Sequence, residues 1–332
     1  MLNSKSFISN EKHRTESMDW LNSPCGFSLN GQELDLKTID TPLIAQFAGD
    51  DADCLVAAAK HVENSVTAID LNLGCPQGIA RRGNYGAFLL PQTCKVIDIL
   101  GKMVNGLECP VTAKIRRLNS DEDTIELCKQ IEDCGASLIT VHGRYKEQNK
   151  QFVGEVNWDI IKRIKDAVSI PVVANGGVGS YEDAMACLRE TCADGVMSAE
   201  GILEKPYLFN QHLDAASATD FVNVHFKMLS NFMDLSVLFS KQPNCGSTVN
   251  SSLKAHLFKM LYRFLSLPRN FDLRDRLGSM KSVSDAVDIV DTLTKRVWEQ
   301  KNSLSKVPLY SQISWYDRHS RKELSESEIN HY

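Results

Sequence analysis

The chain has 332 residues, of which 43% are apolar and 24% charged; this is the composition of a packed globular protein of about two domains and excludes disorder throughout. No segment reaches the ~20 uninterrupted apolar residues of a membrane helix, and the start, MLNSKSFISNEKHR, lacks a signal-peptide core. A formal net charge of −5 gives no general attraction for nucleic acid, so such a partner must be held by a local basic surface.

Residues 1–41 read as an irregular or degenerate start, with a polar run from Asn3 to Ser17 and then the fragments Met18–Leu21 and Cys25–Leu29. From Pro42 onward short apolar runs alternate with amphipathic segments, the pattern of repeated βαβ units on a parallel sheet. Six strands are predicted: 42–47 (PLIAQF), 68–73 (AIDLNL), 111–115 (VTAKI), 137–142 (SLITVH), 171–175 (PVVAN) and 195–199 (GVMSA). Between them Asp121 to Thr124 opens a helix with Leu127, Ile131 and Cys134 on one face, and Gly135 stops it. Asn157 is placed to cap a helix carrying Ile160, Ile161, Ile164 and Val168, and Ser180 with Asp183 has the form of a capping box.

Each predicted strand ends in polar or glycine-rich residues, which distinguishes a barrel rim from an open sheet with one ligand crevice. The fold expected is therefore α/β, a (β/α)8 barrel of the TIM type over residues 42–215 with its first strand or strands missing. Residues 216–302 read as a C-terminal helical domain, in which Leu253, Leu257, Met260, Leu261 and Phe264 form an apolar stripe and Lys254, Lys259 and Arg263 lie off it. From Lys254 to the end, 14 Lys+Arg stand against 10 Asp+Glu, a weak basic excess. Residues 303–332 read as an irregular tail. The ten cysteines, Cys25, Cys54, Cys75 and Cys94 among them, include no CxxC pair; reduced thiols and no metal are expected.

The chemistry gathers at the strand ends. Asn72-Leu-Gly-Cys75-Pro76 ends a strand with an amide, a glycine and a thiol placed to deliver a proton, although a free cysteine is also a common inert core residue. Lys114 interrupts an apolar strand and needs an anionic partner, either a bound ligand or an internal one such as Asp70. His142 could donate to the same ligand or be structural. Asn175-Gly176-Gly177 at a helix entrance and Ala199-Glu200-Gly201 after the next strand resemble the two-loop phosphate site of barrels, the alternative being ligand-free turns. Gly83 and Gly86, with Arg81 and Arg82, form a basic glycine-rich loop or a solvated turn.

Taken together, LNLGCPQGIARRGNYGAFL, VTAKIR, ITVHGR, PVVANGG and GVMSAEG resemble the tRNA-dihydrouridine synthase family, densely from Pro42 to Phe209, and most closely its eukaryotic branch acting at positions 16 and 17. That branch also has a later helix like KAHLFKMLYRF at Lys254 to Phe264. The resemblance implies a flavin mononucleotide (FMN) barrel followed by a tRNA-binding helical domain, with NADPH or NADH as reductant and tRNA as partner; a monomer is expected, and the lack of a membrane segment and of a signal-peptide core gives the expectation of a cytoplasmic or nuclear location. It implies Gln46, Lys114 and His142 near the flavin ring, Asn175, Gly176, Gly177, Ala199, Glu200 and Gly201 at its phosphate, and Cys75 as proton donor. Asn72 and Arg144 match positions near the target uracil, and Arg81, Arg82, Lys254, Lys259 and Arg263 are candidates for RNA phosphates.

Glu200 stands where many members have arginine, as is typical of this branch. The family's first strand, roughly LAPM, and its second, YTEM or YTPM, have no intact counterpart here; Ser17-Met18-Asp19 matches only part of the second. Weaker flavin retention than in a relative with both strands is expected. Two rival readings are a non-catalytic RNA-binding protein of the same ancestry and a flavin barrel reducing a small pyrimidine.

Overall fold

The computed structural model describes residues 1–22, 27–29, 32–34, 41–149, 152–214, 218–241, 247–301, 308–311 and 313–317. Nine strands occur among them: β1 (Leu2–Asn3), β2 (Phe27–Leu29), β3 (Gln32–Leu34), β4 (Ile44–Ala48), β5 (Ala68–Leu73), β6 (Val111–Arg116), β7 (Leu138–His142), β8 (Val172–Asn175) and β9 (Gly195–Met197). β2 and β3 form an antiparallel pair, and the other seven form one sheet in the order β1-β4-β5-β6-β7-β8-β9. Every neighbouring pair in that sheet is parallel. Strand order that follows chain order without reversal, with a helix in each connection from β4 to β9, is the winding of a (β/α)8 barrel and not of a doubly wound sheet.

All six strands expected after Pro42 are present. The seventh, β1, lies in the run read as polar and irregular, where Leu2 and Asn3 pair with Phe47 and Ala48. Two residues carry no readable alternation, so this strand is set by its neighbour and not by its own pattern. Helices Ser4–Ser9 and Glu11–Asn22 follow it.

The connecting helices start where capping side chains satisfy their free amides. Asp51 accepts from Cys54 N at 2.9 Å ahead of Ala52–Lys60. Ser120 accepts from Asp123 N at 3.1 Å ahead of Asp121–Asp133, which ends at Gly135 with a φ of +94°. Asn157 accepts from Ile160 N at 3.0 Å ahead of Trp158–Ala167. Leu127 and Ile131 of the second helix and Ile160, Ile161 and Ile164 of the third are buried, and this burial holds the layer together.

The chain divides into two units. The first comprises Met1–Val178 and Glu182–Met197, and the second Gly179–Tyr181 and the described residues of Ser198–His319. Helices Ala218–Ser240, Ser247–Met260, Tyr262–Leu265, Phe271–Ser279 and Val283–Lys301 build the second unit. Its core gathers Leu253, Leu257, Met260, Leu261 and Phe264 with Val222, Phe226, Ile289 and Leu293. Among the described residues no helix is long and apolar enough to cross a membrane.

Candidate active site

Successive side chains of a strand point to opposite faces, and a parallel sheet covered on both faces is apolar in both phases. Here one phase is polar. Ile69, Leu71 and Leu73 of β5 and Val111, Ala113 and Ile115 of β6 are buried in the apolar phase. Asp70 and Asn72, then Thr112, Lys114 and Arg116, occupy the other. β7 and β8 repeat the arrangement with His142 and Asn175. Parallel register lines these residues up in three rungs: Gln46, Asp70 and Thr112; Asn72, Lys114 and Thr140; Arg116, His142, Asn175 and Met197.

The first two rungs are tied by hydrogen bonds. Thr112 Oγ1 donates to Asp70 Oδ1 at 2.7 Å, and Gln46 Nε2 to Asp70 Oδ2 at 2.8 Å. Gln46 Oε1 accepts from Asn72 Nδ2 at 2.8 Å. This leaves Asn72 Oδ1 facing the strand end, where it accepts from Gly74 N at 3.2 Å and Cys75 N at 3.0 Å. Every polar atom in a network of this kind fixes the next, so Asp70 and Gln46 hold the amide that holds the thiol loop.

Cys75 is half-buried and packs with Ala48, Ala80, Tyr85 and Phe88. The following loop closes on it: Ala87 N donates to Cys75 O at 3.1 Å. Gly86 has a φ of +63°, and a Cβ there would stand 2.8 Å from Cys75 O and 3.0 Å from its Cβ, so only glycine permits this approach. From the opposite side Arg116 Nε donates to Gly74 O at 2.8 Å while its Nη1 donates to Tyr145 O at 2.8 Å. Arg116 thereby joins the thiol loop to the loop after β7.

The third feature is a surplus of positive charge, with Arg116 and Arg144 buried and Lys114 half-buried beside them. Lys114 forms no ion pair with Asp70, whose carboxylate oxygens are taken by Thr112 and Gln46; among the described residues its ammonium has no hydrogen-bond partner. Burial, with Arg116 adjacent, lowers its pKa from the ordinary 10.5 to about 8. Burial drives the His142 imidazole well below its usual range, helped by Arg116, Lys114 and Arg144, and burial raises the Asp70 carboxyl. Arg144 Nη1 lies 3.4 Å from His142 Nε2, and its Nε and Nη2 donate to Gly154 O at 3.2 and 3.0 Å. Cations confined in a site of low polarity are costly unless an anionic or electron-rich group joins them.

Asn175 Nδ2 donates to Met197 O at 2.8 Å, and Gly176 and Gly177 follow with φ of +101° and +80°. A Cβ on Gly176 would meet the His142 ring at 2.6 Å. Among the described residues the N–H groups of these two glycines meet no acceptor.

The first unit therefore brings together Gln46, Asn72, Cys75, Lys114, His142, Arg144, Asn175, Gly176 and Gly177. Arg81 and Arg82 end the short helix Gly78–Arg82 after the thiol and are exposed. Ala199, Glu200 and Gly201 belong to the second unit, with Gly201 opening the helix Gly201–Glu204. Lys254, Lys259 and Arg263 lie there too: Lys254 Nζ donates to Gly278 O at 2.8 Å, and Arg263 Nε pairs with Glu204 Oε1 at 2.9 Å. Thr112 and Arg116 were not singled out from sequence, yet both fall in phase with Lys114 along VTAKIR.

The Dihydrouridine synthase (Dus) family model matches residues 1–298. The tRNA-dihydrouridine(16/17) synthase [NAD(P)(+)] of Saccharomyces cerevisiae is 33% identical over 326 residues, covering 95% of this chain and 72% of that one. The mouse tRNA-dihydrouridine(16/17) synthase [NAD(P)(+)]-like protein is 36% identical over 264 residues, covering 78% and 51%. The Schizosaccharomyces pombe tRNA-dihydrouridine(16/17) synthase [NAD(P)(+)] is 34% identical over 266 residues, covering 78% and 65%. The chain thus spans about half of the mouse relative and somewhat more of the two yeast ones. A match over nine-tenths of its length makes this chain a member of the dihydrouridine synthase family.

Proposed function

We propose that this chain reduces the 5,6 double bond of uracil in tRNA to give 5,6-dihydrouridine at position 16 or 17 of the D-loop, with FMN as bound cofactor and NADPH or NADH as reductant. The observation that carries the reading is the placement of Cys75 at the edge of a polar sheet face whose half-buried Lys114 amine has no partner among the described residues. The substrate class and reductant follow the names of the relatives.

The residues present fit a flavin. Lys114 needs an electron-rich or anionic partner, Gln46 and His142 flank it on the same face, and the free N–H groups of Gly176 and Gly177 beside Asn175 suit a phosphate. A bound reduced flavin would supply hydride chemistry for the uracil 5,6 bond. Cys75 Sγ–H would give its proton to C5, which leaves a thiolate and completes the addition of two hydrogens. Asn72 fixes the thiol loop, and Arg144 with Asn72 orients the uracil. The base must leave its stack to reach this site, which costs a few kcal/mol; Arg81 and Arg82, exposed beside Cys75, together with Lys254 and Lys259, offset that cost by holding phosphates. Arg263 would contribute only from within its pair with Glu204.

Nucleoside mass spectrometry of tRNA from a strain deleted for its own position 16/17 enzyme tests the proposal. Dihydrouridine should return at 16 or 17 when this chain is supplied. Its absence, with reduction of free uracil or dihydroorotate chemistry instead, would favour a small-pyrimidine enzyme.

A further inference from the structure

Trp158 opens the helix Trp158–Ala167, and its half-buried side chain reaches the loop after β8. The indole Nε1 donates to Gly176 O at 3.1 Å. The ring also lies against Gly177, where a Cβ would stand 3.2 Å from Trp158 Cζ2. The start of the helix is already satisfied by Asn157, which accepts from Ile160 N at 3.0 Å, so the indole bond serves the loop and not the cap. Among the described residues Gly176 O has no other hydrogen-bond donor.

A trans peptide is planar and carries its C=O and its N–H on opposite edges. The Gly176–Gly177 peptide is trans, so holding Gly176 O toward the indole turns the Gly177 N–H away from it. The peptide before it is held in the same manner: Asn175 O accepts from Gly143 N at 3.2 Å, which turns the Gly176 N–H away from Gly143. The two donors are themselves braced together, because Asn157 N donates to Gly143 O at 2.9 Å next to Trp158. Glycine rotates easily about its backbone bonds. The Gly177 N–H therefore keeps its direction only while the Gly176 carbonyl is held.

We infer that Trp158 is a positioning residue for the cofactor's phosphate: its indole fixes the Gly176 carbonyl, and the Gly177 N–H is thereby set in place before a phosphate arrives. The inference rests on the flavin reading above and adds to it the side chain that presets this donor. Trp158 acts through the loop and not on the reacting ring, so its effect is confined to ligands that carry a phosphate.

Fluorescence titration of the flavin-free full chain with FMN and with riboflavin, which has the same ring and no phosphate, provides the test. Wild type is compared with Trp158→Phe, whose phenyl ring keeps packing on Gly177 and lacks the indole N–H. Trp158→Phe should weaken FMN binding about five- to tenfold, the scale of one hydrogen bond, and leave riboflavin binding unchanged. Equal weakening of both flavins, as loss of packing alone requires, overturns the inference. A second measurement needs no variant: in protein labelled with 15N at its indoles, exchange of the Trp158 N–H with solvent should be slow before FMN is added as well as after. Exchange that slows only with FMN bound overturns the inference, because the carbonyl is then not held in advance. Wild type that binds riboflavin as tightly as FMN refutes the phosphate site of the flavin reading and the inference with it, whereas a strong FMN preference untouched by Trp158→Phe refutes only the role of Trp158.

Discussion

Asn72 and Cys75 are joined across one tight turn, the amide oxygen of the first accepting the backbone N–H of the second at 3.0 Å. The same amide oxygen also accepts from Gly74, and the amide nitrogen is fixed by Gln46. The position of the thiol is therefore set by a network that reaches back through Gln46 to Asp70 and Thr112.

Removing the Asn72 amide should loosen that turn. Asn72→Ala leaves the Gly74 and Cys75 amides without an acceptor and should lower stability by about 1–3 kcal/mol. Asn72→Asp keeps the acceptor and loses the bond to Gln46, so it should retain more dihydrouridine formation than Asn72→Ala. Urea unfolding and product assays on both variants check the order; equal loss in the two would count against the cap.

Gly86 lies against Cys75, and its φ of +63° suits no β-carbon. Gly86→Ala should cost about 1 kcal/mol or more and displace Cys75, with turnover falling more than flavin affinity. Flavin titration and product assays on one preparation separate the two effects.

Lys114 ties flavin binding to pH. Its pKa of about 8 in the fold lies below the ordinary 10.5. Between those values the unfolded chain holds a proton that the folded chain has released, so the flavin-free protein should gain stability as pH rises through that window. Flavin binding should run the other way and weaken as the amine loses its charge above about pH 8. Lys114→Met should remove this amine's share of both slopes and weaken flavin binding by about 1.5–3 kcal/mol. Denaturant midpoints and flavin dissociation constants measured from pH 7 to pH 10.5 report both.

Arg81 and Arg82 project from the helix that follows the thiol. If they hold phosphates, Arg81→Ala or Arg82→Ala should weaken tRNA binding and reduce its salt slope by about 1 each, with flavin affinity unchanged. An unaltered salt slope would assign the pair to a solvated turn.

Six strands and the polar strand ends were legible because short apolar runs, such as AIDLNL or VTAKIR, alternate with helical segments and end in polar or glycine-rich residues. β1 was not, since two residues have no period and its pairing with Phe47 and Ala48 is decided by β4. Asp70 was visible only as a possible partner for Lys114; the structure gives its oxygens to Thr112 and Gln46, a choice made across three strands. Arg116 was hidden because its acceptors, Gly74 O, Tyr145 O and Gln148 O, are backbone atoms of two separate loops. Arg263 looked like a free cation on a helix, but its partner Glu204 lies 59 residues away in sequence, a separation no local pattern reports.

The most direct test compares wild type with Cys75→Ala, both loaded with equal flavin, reduced, and mixed with unmodified tRNA in a single turnover followed by mass spectrometry. Wild type should convert uridine to dihydrouridine while Cys75→Ala keeps its flavin and yields none. Equal conversion by the two proteins would contradict the assignment of the thiol as proton donor.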